Sequence, residues 1–313
     1  MNEHALNPKV NICIATYNGA KYLIEQLDSI KYQTYQNWEC LIRDDGSTDG
    51  TIDLIKDYCE KNSKFEFINC GQIENLGSHR SFFELVKYKK ADYYFFCDQD
   101  DIWKKNKIEL FLSKTNFETE KPELVYSGWT TVDENLNLLK EVFPKTTINE
   151  QISFNQINGM SMMLNDKLVK IWNYRKWGAH DSFVALIAYT IGNVIYIPKS
   201  TILWRRLSSS ESISNYGRGF GIETFWKMME MSFVRSQLVL DDYEKYMDKY
   251  HKGFLKSFVS IPKMNFFNRL KTLMELKLRR KSLIETIALN FLLLFKYKMP
   301  KNILQELLNK EKI

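Results

Sequence analysis

The sequence YYFFCDQDD, residues 93–101, joins five consecutive apolar residues to three carboxylates within four positions. An uninterrupted apolar run is typical of a strand that is buried on both faces of a sheet. Neighbouring carboxylates at the end of such a strand repel one another unless a cation lies among them. The stretch therefore predicts a buried strand with a site for a hard divalent ion, Mn²⁺ or Mg²⁺, at its carboxyl end. A solvated acidic turn is the alternative.

The region upstream of this strand alternates between strand-like and helix-like patterns. Residues 10–14, 38–42 and 65–68 form strand-like apolar runs, and apolar residues at helical spacing separate them. Such β-α-β alternation predicts an α/β fold with a mostly parallel central sheet that is covered by helices on both faces.

The region downstream of residue 101 predicts further elements. They are strands at residues 124–130 and 159–164, a helix at 181–190, and a closing hairpin that pairs 194–197 with 201–204 around Pro198. A polar stretch, residues 207–221, then breaks the pattern, and the remaining sequence reads as helices. We predict an α/β domain over residues 1–215 and a helical region over residues 216–313.

The composition is that of a globular protein. Of the 313 residues, 44% are hydrophobic and 26% are charged, which excludes disorder as the main state because enough apolar surface is available for burial. Five cysteines without a C-x-x-C pair predict free thiols in a reducing compartment. The N-terminus lacks the pattern of a secretory signal, and the longest apolar stretch, residues 283–295, is too short to span a bilayer. We therefore expect a cytoplasmic protein.

Polar clusters follow three of the predicted strands. Ala15-Thr16-Tyr17 ends the first strand, Asp44-Asp45 ends the second, and the carboxylates of residues 98–101 end the fourth. Because ligands of open α/β sheets bind at the carboxyl ends of the strands, these clusters predict one binding edge. Helix capping and turn formation explain residues 46–49 but leave Asp44 and Asp45 unexplained.

Four motifs resemble the family 2 glycosyltransferases with a GT-A fold. They are ATYNGAKYL at residues 15–23, IRDDGSTDGT at 42–51, NLG at 75–77 and FFCDQDDIW at 95–103. The resemblance is closest to bacterial rhamnosyltransferase-like enzymes of surface-polysaccharide synthesis. It implies that a sugar moves from a nucleoside-diphosphate donor, dTDP-rhamnose or a UDP-hexose, to a hydroxyl of a lipid-linked or growing saccharide. The anomeric carbon would be inverted.

The resemblance also implies which residues bind the donor and a metal ion. Tyr17 and Asp45 match positions that hold the nucleobase, with Asp45 accepting a hydrogen bond from a pyrimidine N3–H; this contact does not distinguish UDP from dTDP. Asp98 matches the residue near the ribose and the metal, and Asp100 matches the ligand of Mn²⁺ or Mg²⁺. The resemblance also implies donor contacts from the backbone of Ala15 and Thr16, from Gln99, and from Asn75 and Gly77 in the loop beside the base. It further implies a contact from Arg80, one helical turn later, and support of the metal ligands by Asp101. For Arg80, a surface helix arginine is the alternative.

A segment farther along the chain resembles the acceptor side of the family. His180-Asp181 resembles the dipeptide that supplies the general base, and a carboxylate suits this role because the attacking hydroxyl must lose a proton. A helix cap is the alternative for Asp181. Arg205 or Arg206 would stabilise the leaving diphosphate. Leu207 stands where this branch of the family commonly carries a histidine.

Other function classes find less support. The chain lacks G-x-G-x-x-G after the first strand and also lacks G-x-x-x-x-G-K-[ST], which argues against a dehydrogenase and a P-loop NTPase. A donor-binding pseudo-enzyme that serves as a scaffold remains open, as does a basic protein that binds nucleic acid or a membrane surface. We expect no nucleic-acid partner, because the aromatic residues of the basic region fall mostly at the helical spacing of core packing.

The positive charge is concentrated near the C-terminus. Residues 263–301 hold ten basic residues against Glu275 and Glu285, whereas the whole chain has a net charge of +6. Large apolar residues lie between the basic ones, as in helices that bind the surface of anionic lipid. We therefore predict peripheral contact with the inner face of the cell membrane. A helical bundle with a solvated basic face is the alternative.

Overall fold

A nine-stranded sheet is the main feature of the computed structural model, which describes residues 7–175, 179–206 and 221–296. The strands are β1 Val10–Thr16, β2 Trp38–Asp44, β3 Phe65–Phe67, β4 Tyr93–Cys97, β5 Ile102–Trp103, β6 Glu123–Val132, β7 Leu138–Val142, β8 Met162–Asn165 and β9 Asn193–Arg205. The helices are α1 Leu23–Lys31, α2 Thr51–Lys61, α3 Ser78–Tyr88, α4 Lys107–Leu112, α5 Ile148–Gln151, α6 Asp166–Ile171, α7 His180–Ile191, α8 Ile222–Tyr243, α9 Lys249–Ser260, α10 Phe266–Leu276 and α11 Leu283–Phe295. Short 3₁₀ turns lie at Gly159–Ser161, Glu244–Tyr246 and Ile261–Lys263.

The chain forms two compact units, and the sheet belongs to the first. This unit draws its described residues from Met1–Lys145, Ile157–Lys176 and Gly192–Ser208. The strand order is β3-β2-β1-β4-β8-β6-β9-β5, with β7 paired to β6. Strands β3, β2, β1 and β4 are parallel, as the alternation of strand and helix predicts, whereas β8 is antiparallel to β4 and makes the sheet mixed.

Helices cover both faces of the parallel part of the sheet. Phe95 and Phe96 are neighbours in β4, so their side chains point to opposite faces. Phe95 packs on Phe111 of α4 with ring centroids 5.1 Å apart, and Phe96 packs on Phe82 of α3 at 5.1 Å. Both β4 residues are fully buried, and burying a phenylalanine contributes roughly 1.5–3 kcal/mol. This double burial is the physical reason for the uninterrupted apolar run.

One prediction about the later strands is wrong, and another is right except for the residue at which the strand begins. Residues 193–205 form one strand, β9, instead of a hairpin. Its parallel register with β6 skips two residues between Ile197 and Ser200, so Pro198 lies in an irregularity where its missing N–H is tolerated. The strand predicted at 159–164 begins only at Met162, because Ser161 N donates to Asn158 O at 3.0 Å and closes a 3₁₀ turn.

The second unit is helical in its described part. It draws on Thr146–Gln156, Trp177–Ile191 and Ser209–Ile313, and it contains α5 and α7–α11. Phe233 of α8 packs on Phe258 of α9 with ring centroids 4.8 Å apart. None of the helices within residues 7–175, 179–206 and 221–296 has both the length and the apolarity to cross a membrane. The predicted domain boundary at residues 215 and 216 lies outside the described residues and stays a prediction.

Candidate active site

The carboxyl ends of β1, β2 and β4 meet at one edge of the sheet. Thr16, the last residue of β1, is the register partner of Asp44, and its hydroxyl donates to Asp44 Oδ2 at 2.7 Å. On the other side of β1, Ile14 pairs with Cys97 at the end of β4. The three polar clusters therefore lie together, as their positions after the strands predict.

Asp44 shapes the loop that follows β2. The side chain is fully buried, and its two oxygens accept hydrogen bonds from the Thr16 hydroxyl, from Gly46 N at 3.0 Å, from Ser47 N at 2.7 Å and from the Ser47 hydroxyl at 2.6 Å. Four donors satisfy one carboxylate, so Asp44 has a structural role. This explains a carboxylate that turn and cap rules left unexplained.

Asp45 is the carboxylate at the end of β2 that holds one oxygen available to a ligand. Its Oδ1 accepts from the Arg43 guanidinium, from the Ser81 hydroxyl at 2.8 Å and from Leu76 N at 3.0 Å. No donor in the described part of the chain bonds to the other oxygen, Oδ2. Three contacts thus fix the carboxylate group while one oxygen keeps its full accepting capacity for a ligand N–H.

Arg43 is a site residue that the sequence interpretation missed. It is buried, it contacts Asp45, it donates to the Ser81 hydroxyl at 2.8 Å, and its second terminal nitrogen donates to Glu74 O at 2.8 Å. Arg43 therefore holds both Asp45 and the loop before α3. The available signal was a charged residue at the end of the otherwise apolar run of residues 40–42, which is unusual without a buried partner.

Removing the Arg43 guanidinium should loosen this edge strongly. Arg43→Met keeps the length of the side chain but leaves Asp45 buried without its counter-charge, so we expect the free energy of unfolding to fall by about 3–5 kcal/mol. Urea denaturation measures this change. The matched control is Arg80→Met, since Arg80 is exposed and pairs only with Glu84 at 3.3 Å among the ion pairs of the described chain. Equal stability of the two variants would contradict the role of Arg43.

Tyr17 and Gln99 connect the β1 and β4 clusters. Gln99 Oε1 accepts from Tyr17 N at 2.9 Å, and Gln99 Nε2 donates to Tyr17 O at 3.0 Å. A Cβ at Gly19 would lie 2.2 Å from Gln99 Oε1, so a side chain there would displace the Gln99 amide from the Tyr17 backbone. The Tyr17 side chain is 53% exposed, which leaves its ring available to a planar ligand. Gln99 is thus engaged with the Tyr17 backbone.

The loop beside Asp45 carries the remaining residues expected at the base. Asn75 and Arg80 are exposed, and Gly77 precedes α3 with a φ of 76°, which favours glycine. The Arg80 guanidinium lies 5.8 Å from the Tyr174 ring centroid in addition to its Glu84 contact. The structure brings this loop to Asp45 through Leu76.

Three carboxylates crowd the end of β4. Asp101 is fully buried, its Oδ1 accepts from Arg205 N at 3.1 Å, and its Oδ2 lacks a hydrogen-bond partner. Burial raises the pKa of Asp101 well above its ordinary value, and the charges of Asp98 and Asp100 raise it further. Burial likewise raises the pKa of Asp100. The protein therefore does not fully balance the negative charge of these three carboxylates.

A divalent cation fits this donor set. Within the described ranges, no three His, Cys, Asp or Glu side chains are arranged to enclose an ion. Mg²⁺ and ions like it commonly take only one or two protein carboxylates and complete their shell with water and phosphate. Asp98 and Asp100 would supply one or two such carboxylates, and an added positive charge would relieve the repulsion felt by Asp101.

Comparison with known proteins decides the family. A family model described as Glycosyl transferase family 2 matches residues 11–172, just over half of the chain. The chain belongs to glycosyl transferase family 2.

Two curated relatives of this family 2 chain illustrate its similarities. An uncharacterized glycosyltransferase of Rickettsia typhi is 34% identical over 146 residues, 46% of this chain and 43% of that protein. The UDP-Glc:alpha-D-GlcNAc-diphosphoundecaprenol beta-1,3-glucosyltransferase WfgD of Escherichia coli is 25% identical over 210 residues, 66% of this chain and 79% of WfgD. The chain spans less than half the length of the Rickettsia relatives that it matches.

Two solved structures share the fold. TarS of S. aureus in complex with UDP-GlcNAc superposes with a TM-score of 0.58 at 16% identity, covering 86% of this chain and 80% of that one. The mannosyltransferase PcManGT of Pyrobaculum calidifontis, in complex with GDP-Man and Mn²⁺, gives a TM-score of 0.52 at 13% identity, covering 91% and 87%. The family 2 chain therefore has a GT-A-like fold with a C-terminal helical region.

The structure distinguishes the two arginines at the end of β9, Arg205 as its last residue and Arg206 directly after it. Arg205 is buried: Nε donates to Asp100 O at 3.0 Å, one terminal nitrogen donates to Glu134 O at 2.7 Å, and the other pairs with Glu25 at 2.5 Å. Arg205 thus holds the backbone of Asp100. Arg206 is partly exposed, with its guanidinium 4.6 Å from the Trp204 ring centroid. Leu207, where a histidine is common, lies outside the described residues.

Lys107 is a second residue that the sequence interpretation missed. It is fully buried, its Nζ donates to Met160 O at 2.7 Å, and it lies 3.8 Å from the Trp103 ring centroid. Burial lowers the pKa of Lys107 to about 7, although the charges of Cys97, Asp101 and Asp98 oppose this shift. Lys107 thus connects the start of α4 to the turn before β8. A lysine in an amphipathic helix gives no sequence signal of such burial.

Asp181 belongs to the second unit. It is a partly exposed residue in the first turn of α7, and Ala179 O accepts from Phe183 N at 3.1 Å at the start of the helix. Asp181 is therefore inside the helix, one residue past its first position. Its role as the general base of this family 2 chain stays a prediction.

Proposed function

We propose that this protein is an inverting glycosyltransferase of cell-surface polysaccharide synthesis. It would move a sugar from a nucleoside-diphosphate donor, a UDP-hexose or dTDP-rhamnose, to a hydroxyl of a lipid-linked or growing saccharide. The observation that carries the proposal is Asp45, whose Oδ1 accepts from Arg43, Ser81 and Leu76 while Oδ2 keeps its accepting capacity.

The geometry of Asp45 favours a pyrimidine base. One carboxylate oxygen accepts one N–H well, and uracil and thymine each present a single N3–H in their plane. Guanine presents two adjacent donors, which a carboxylate with two available oxygens would bind better. The exposed ring of Tyr17 can pack on the base, with the backbone of Ala15 and Thr16 beside it. TarS, whose structure includes UDP-GlcNAc, and WfgD, which is named for UDP-Glc, support the uridine form.

The diphosphate end of the donor requires positive charge. Asp98 and Asp100 would hold Mn²⁺ or Mg²⁺, which compensates the charge of the departing diphosphate when it is bound. Arg205 fixes the backbone of Asp100 through a 3.0 Å hydrogen bond and so orients the loop that carries these carboxylates. Arg205 or Arg206 would stabilise the departing diphosphate, and the guanidinium of Arg205 also donates to protein oxygens. The Mn²⁺ in the PcManGT complex supports a metal at this fold.

The acceptor would be activated by Asp181. A carboxylate at this position would take the proton of the attacking hydroxyl in a single displacement, which inverts the anomeric carbon. The name of WfgD includes a diphosphoundecaprenol acceptor, which supports a lipid-linked acceptor here. We therefore expect the protein to work in the cytoplasm at the inner face of the cell membrane.

Thermal unfolding with nucleotide sugars tests donor binding. We expect UDP-glucose, UDP-GlcNAc or dTDP-rhamnose with Mn²⁺ to raise Tm by roughly 5 °C at a hundredfold excess over Kd, since binding to the native state adds stability by mass action. GDP-mannose is the matched control for the base. A larger shift with GDP-mannose would contradict the pyrimidine assignment, and no shift with any of the four would contradict the proposed function. Sugar transfer in the same samples separates an enzyme from a donor-binding scaffold.

A further inference from the structure

Helices α10 and α11 form a hairpin in the second unit. The rings of Phe266, at the start of α10, and Phe295, at the end of α11, have centroids 5.7 Å apart, so the two helices are antiparallel along their length. Residues 277–282 form the connection at the other end. Asn290 Nδ2 donates to Leu278 O at 3.3 Å, and Arg280 N donates to the Thr286 hydroxyl at 2.9 Å, which ties the connection to α11.

The outer side of the hairpin is apolar. Nine of the 21 exposed large hydrophobic residues of the described chain lie within residues 266–295. We call these nine residues the apolar face: Phe266, Phe267, Leu270, Met274, Leu283, Ile284, Ile287, Phe291 and Phe295. Phe267 is 78% exposed and Ile284 is 80% exposed. So many exposed large apolar residues on one hairpin mark an interaction site.

The residues on the inner side of the same hairpin are buried. Leu273 and Leu276 of α10 and Leu289 and Leu293 of α11 are buried. Asn149 Nδ2 also donates to Leu276 O at 2.6 Å, which attaches α10 to α5. The apolar face is therefore presented by an anchored hairpin whose core-facing residues are different ones.

The structure shows which of the ten basic residues within 263–301 make internal contacts and which are exposed. Arg269 donates to Leu294 O at 2.9 Å, Arg280 stacks over Phe154 at 4.2 Å, and Lys296 donates to Pro262 O at 2.5 Å, so three of the ten serve internal contacts. Lys298 and Lys301 lie outside the described residues. The exposed basic residues are Lys263, Lys271, Lys277, Arg279 and Lys281, and three of these five fall in the connection between α10 and α11.

We propose that this hairpin docks on an anionic lipid surface, with the apolar face at the boundary of headgroups and acyl chains and the basic connection on the lipid phosphates. A 13-residue helix is about 20 Å long, too short for the roughly 30 Å hydrocarbon layer, so α11 lies in the plane of the membrane. Charge complementarity favours this occupant: a second copy of the chain would bring the same positive connection, whereas anionic lipid supplies the opposite charge beside an apolar phase.

This inference rests on the proposed function only for its purpose, which is to bring the enzyme to a lipid-linked acceptor. Lipid binding itself requires no nucleotide sugar, so it is tested without one. A chain that binds vesicles but no donor would contradict the proposed function and leave the lipid surface intact. A chain that binds donor but no vesicles would contradict the lipid surface and leave the proposed function intact.

The experiment is co-sedimentation of the full chain with vesicles of phosphatidylglycerol and phosphatidylcholine, compared with phosphatidylcholine alone. We expect binding to the anionic vesicles at low salt, with affinity falling as salt is raised. Lys277→Glu/Arg279→Glu/Lys281→Glu should weaken it at least about tenfold, because each basic residue near anionic lipid adds appreciable affinity. Phe267→Ser/Ile284→Ser should weaken binding to a similar extent.

The matched control variants carry the same types of substitution outside the hairpin. They are Leu138→Ser/Leu139→Ser, at two exposed residues of β7, and Lys56→Glu/Lys105→Glu/Lys114→Glu, which has the same change in net charge. Equal loss of binding in a hairpin variant and its control would overturn the proposal, as would a full chain that stays in the supernatant with anionic vesicles at low salt. A full chain that fails to pellet but forms a dimer, which Phe267→Ser/Ile284→Ser converts to monomer, would also overturn it and assign the apolar face to self-association.

Discussion

Asp100→Ala is expected to abolish the metal-dependent part of donor binding and to lower sugar transfer by at least about 10²-fold, the range for loss of a preorganised electrostatic contact. The fold should survive, because burial and neighbouring carboxylates raise the pKa of Asp101 and burial raises that of Asp100. Removing one of three crowded carboxylates relieves this repulsion. In EDTA, the variant should therefore be at least as stable as the wild type.

Calorimetric titration with UDP measures the effect directly. Wild-type protein should bind UDP more tightly with Mn²⁺ than with EDTA, and Asp100→Ala should show the same affinity in both. Asp53→Ala, which removes an exposed carboxylate from the first turn of α2, is the control and should behave as wild type. Full sugar transfer by wild-type protein in EDTA would contradict the metal role of the β4 carboxylates.

The sequence predicted that the three polar clusters share one edge of the sheet because the physical causes are local. A strand buried on both faces must be apolar throughout, and the chain can place polar residues only where such a strand ends. Phe95 and Phe96 show this directly, since each packs on a helix on its own side of the sheet. The positions of Asp45 and Asp100 followed from the ends of β2 and β4.

The sequence alone could not show which way a side chain points or which residues it contacts. Arg205 and Arg206 are neighbours of the same type, yet Arg205 is buried against Asp100 O and Glu25 while Arg206 is partly exposed. Adjacent residues of an extended chain alternate between faces, so a strand register is needed to tell them apart. Arg43 and Lys107 were missed for the same reason, since their partners lie up to 53 positions away in the sequence.

The hairpin predicted around Pro198 failed for a related reason. Proline is a strong turn signal in isolation, but β6 offers parallel partners on both sides of it, and the irregular register between Ile197 and Ser200 accommodates the missing N–H. Pairing with a strand about 70 residues earlier outweighed the local turn preference. Local patterns predict elements, whereas the choice between a turn and a bulge depends on distant pairing.

Asp181→Asn should lower kcat by roughly 10²–10⁴, the usual contribution of general-base catalysis, while the Kd of the donor changes little. The substitution preserves size and most hydrogen bonding, including an acceptor for Ser182 N, but asparagine cannot take a proton. The alternative, a carboxylate that merely stabilises the start of α7, predicts a different result. Loss of that interaction with the helix dipole would lower the free energy of unfolding by about 0.3–1 kcal/mol and leave turnover unchanged.

Asp166→Asn is the matched control that separates these two roles. Asp166 is the first residue of α6 and pairs with Lys170 at 2.5 Å, so it is a helix-start carboxylate with no assigned chemistry. We expect both variants to lose a similar small amount of stability and only Asp181→Asn to lose turnover, measured as the rate of sugar transfer. Because a single displacement assisted by one base inverts the anomeric carbon, the product should have the configuration opposite to that of the donor. Near-normal turnover of Asp181→Asn, or a product that retains the donor configuration, would contradict Asp181 as the base.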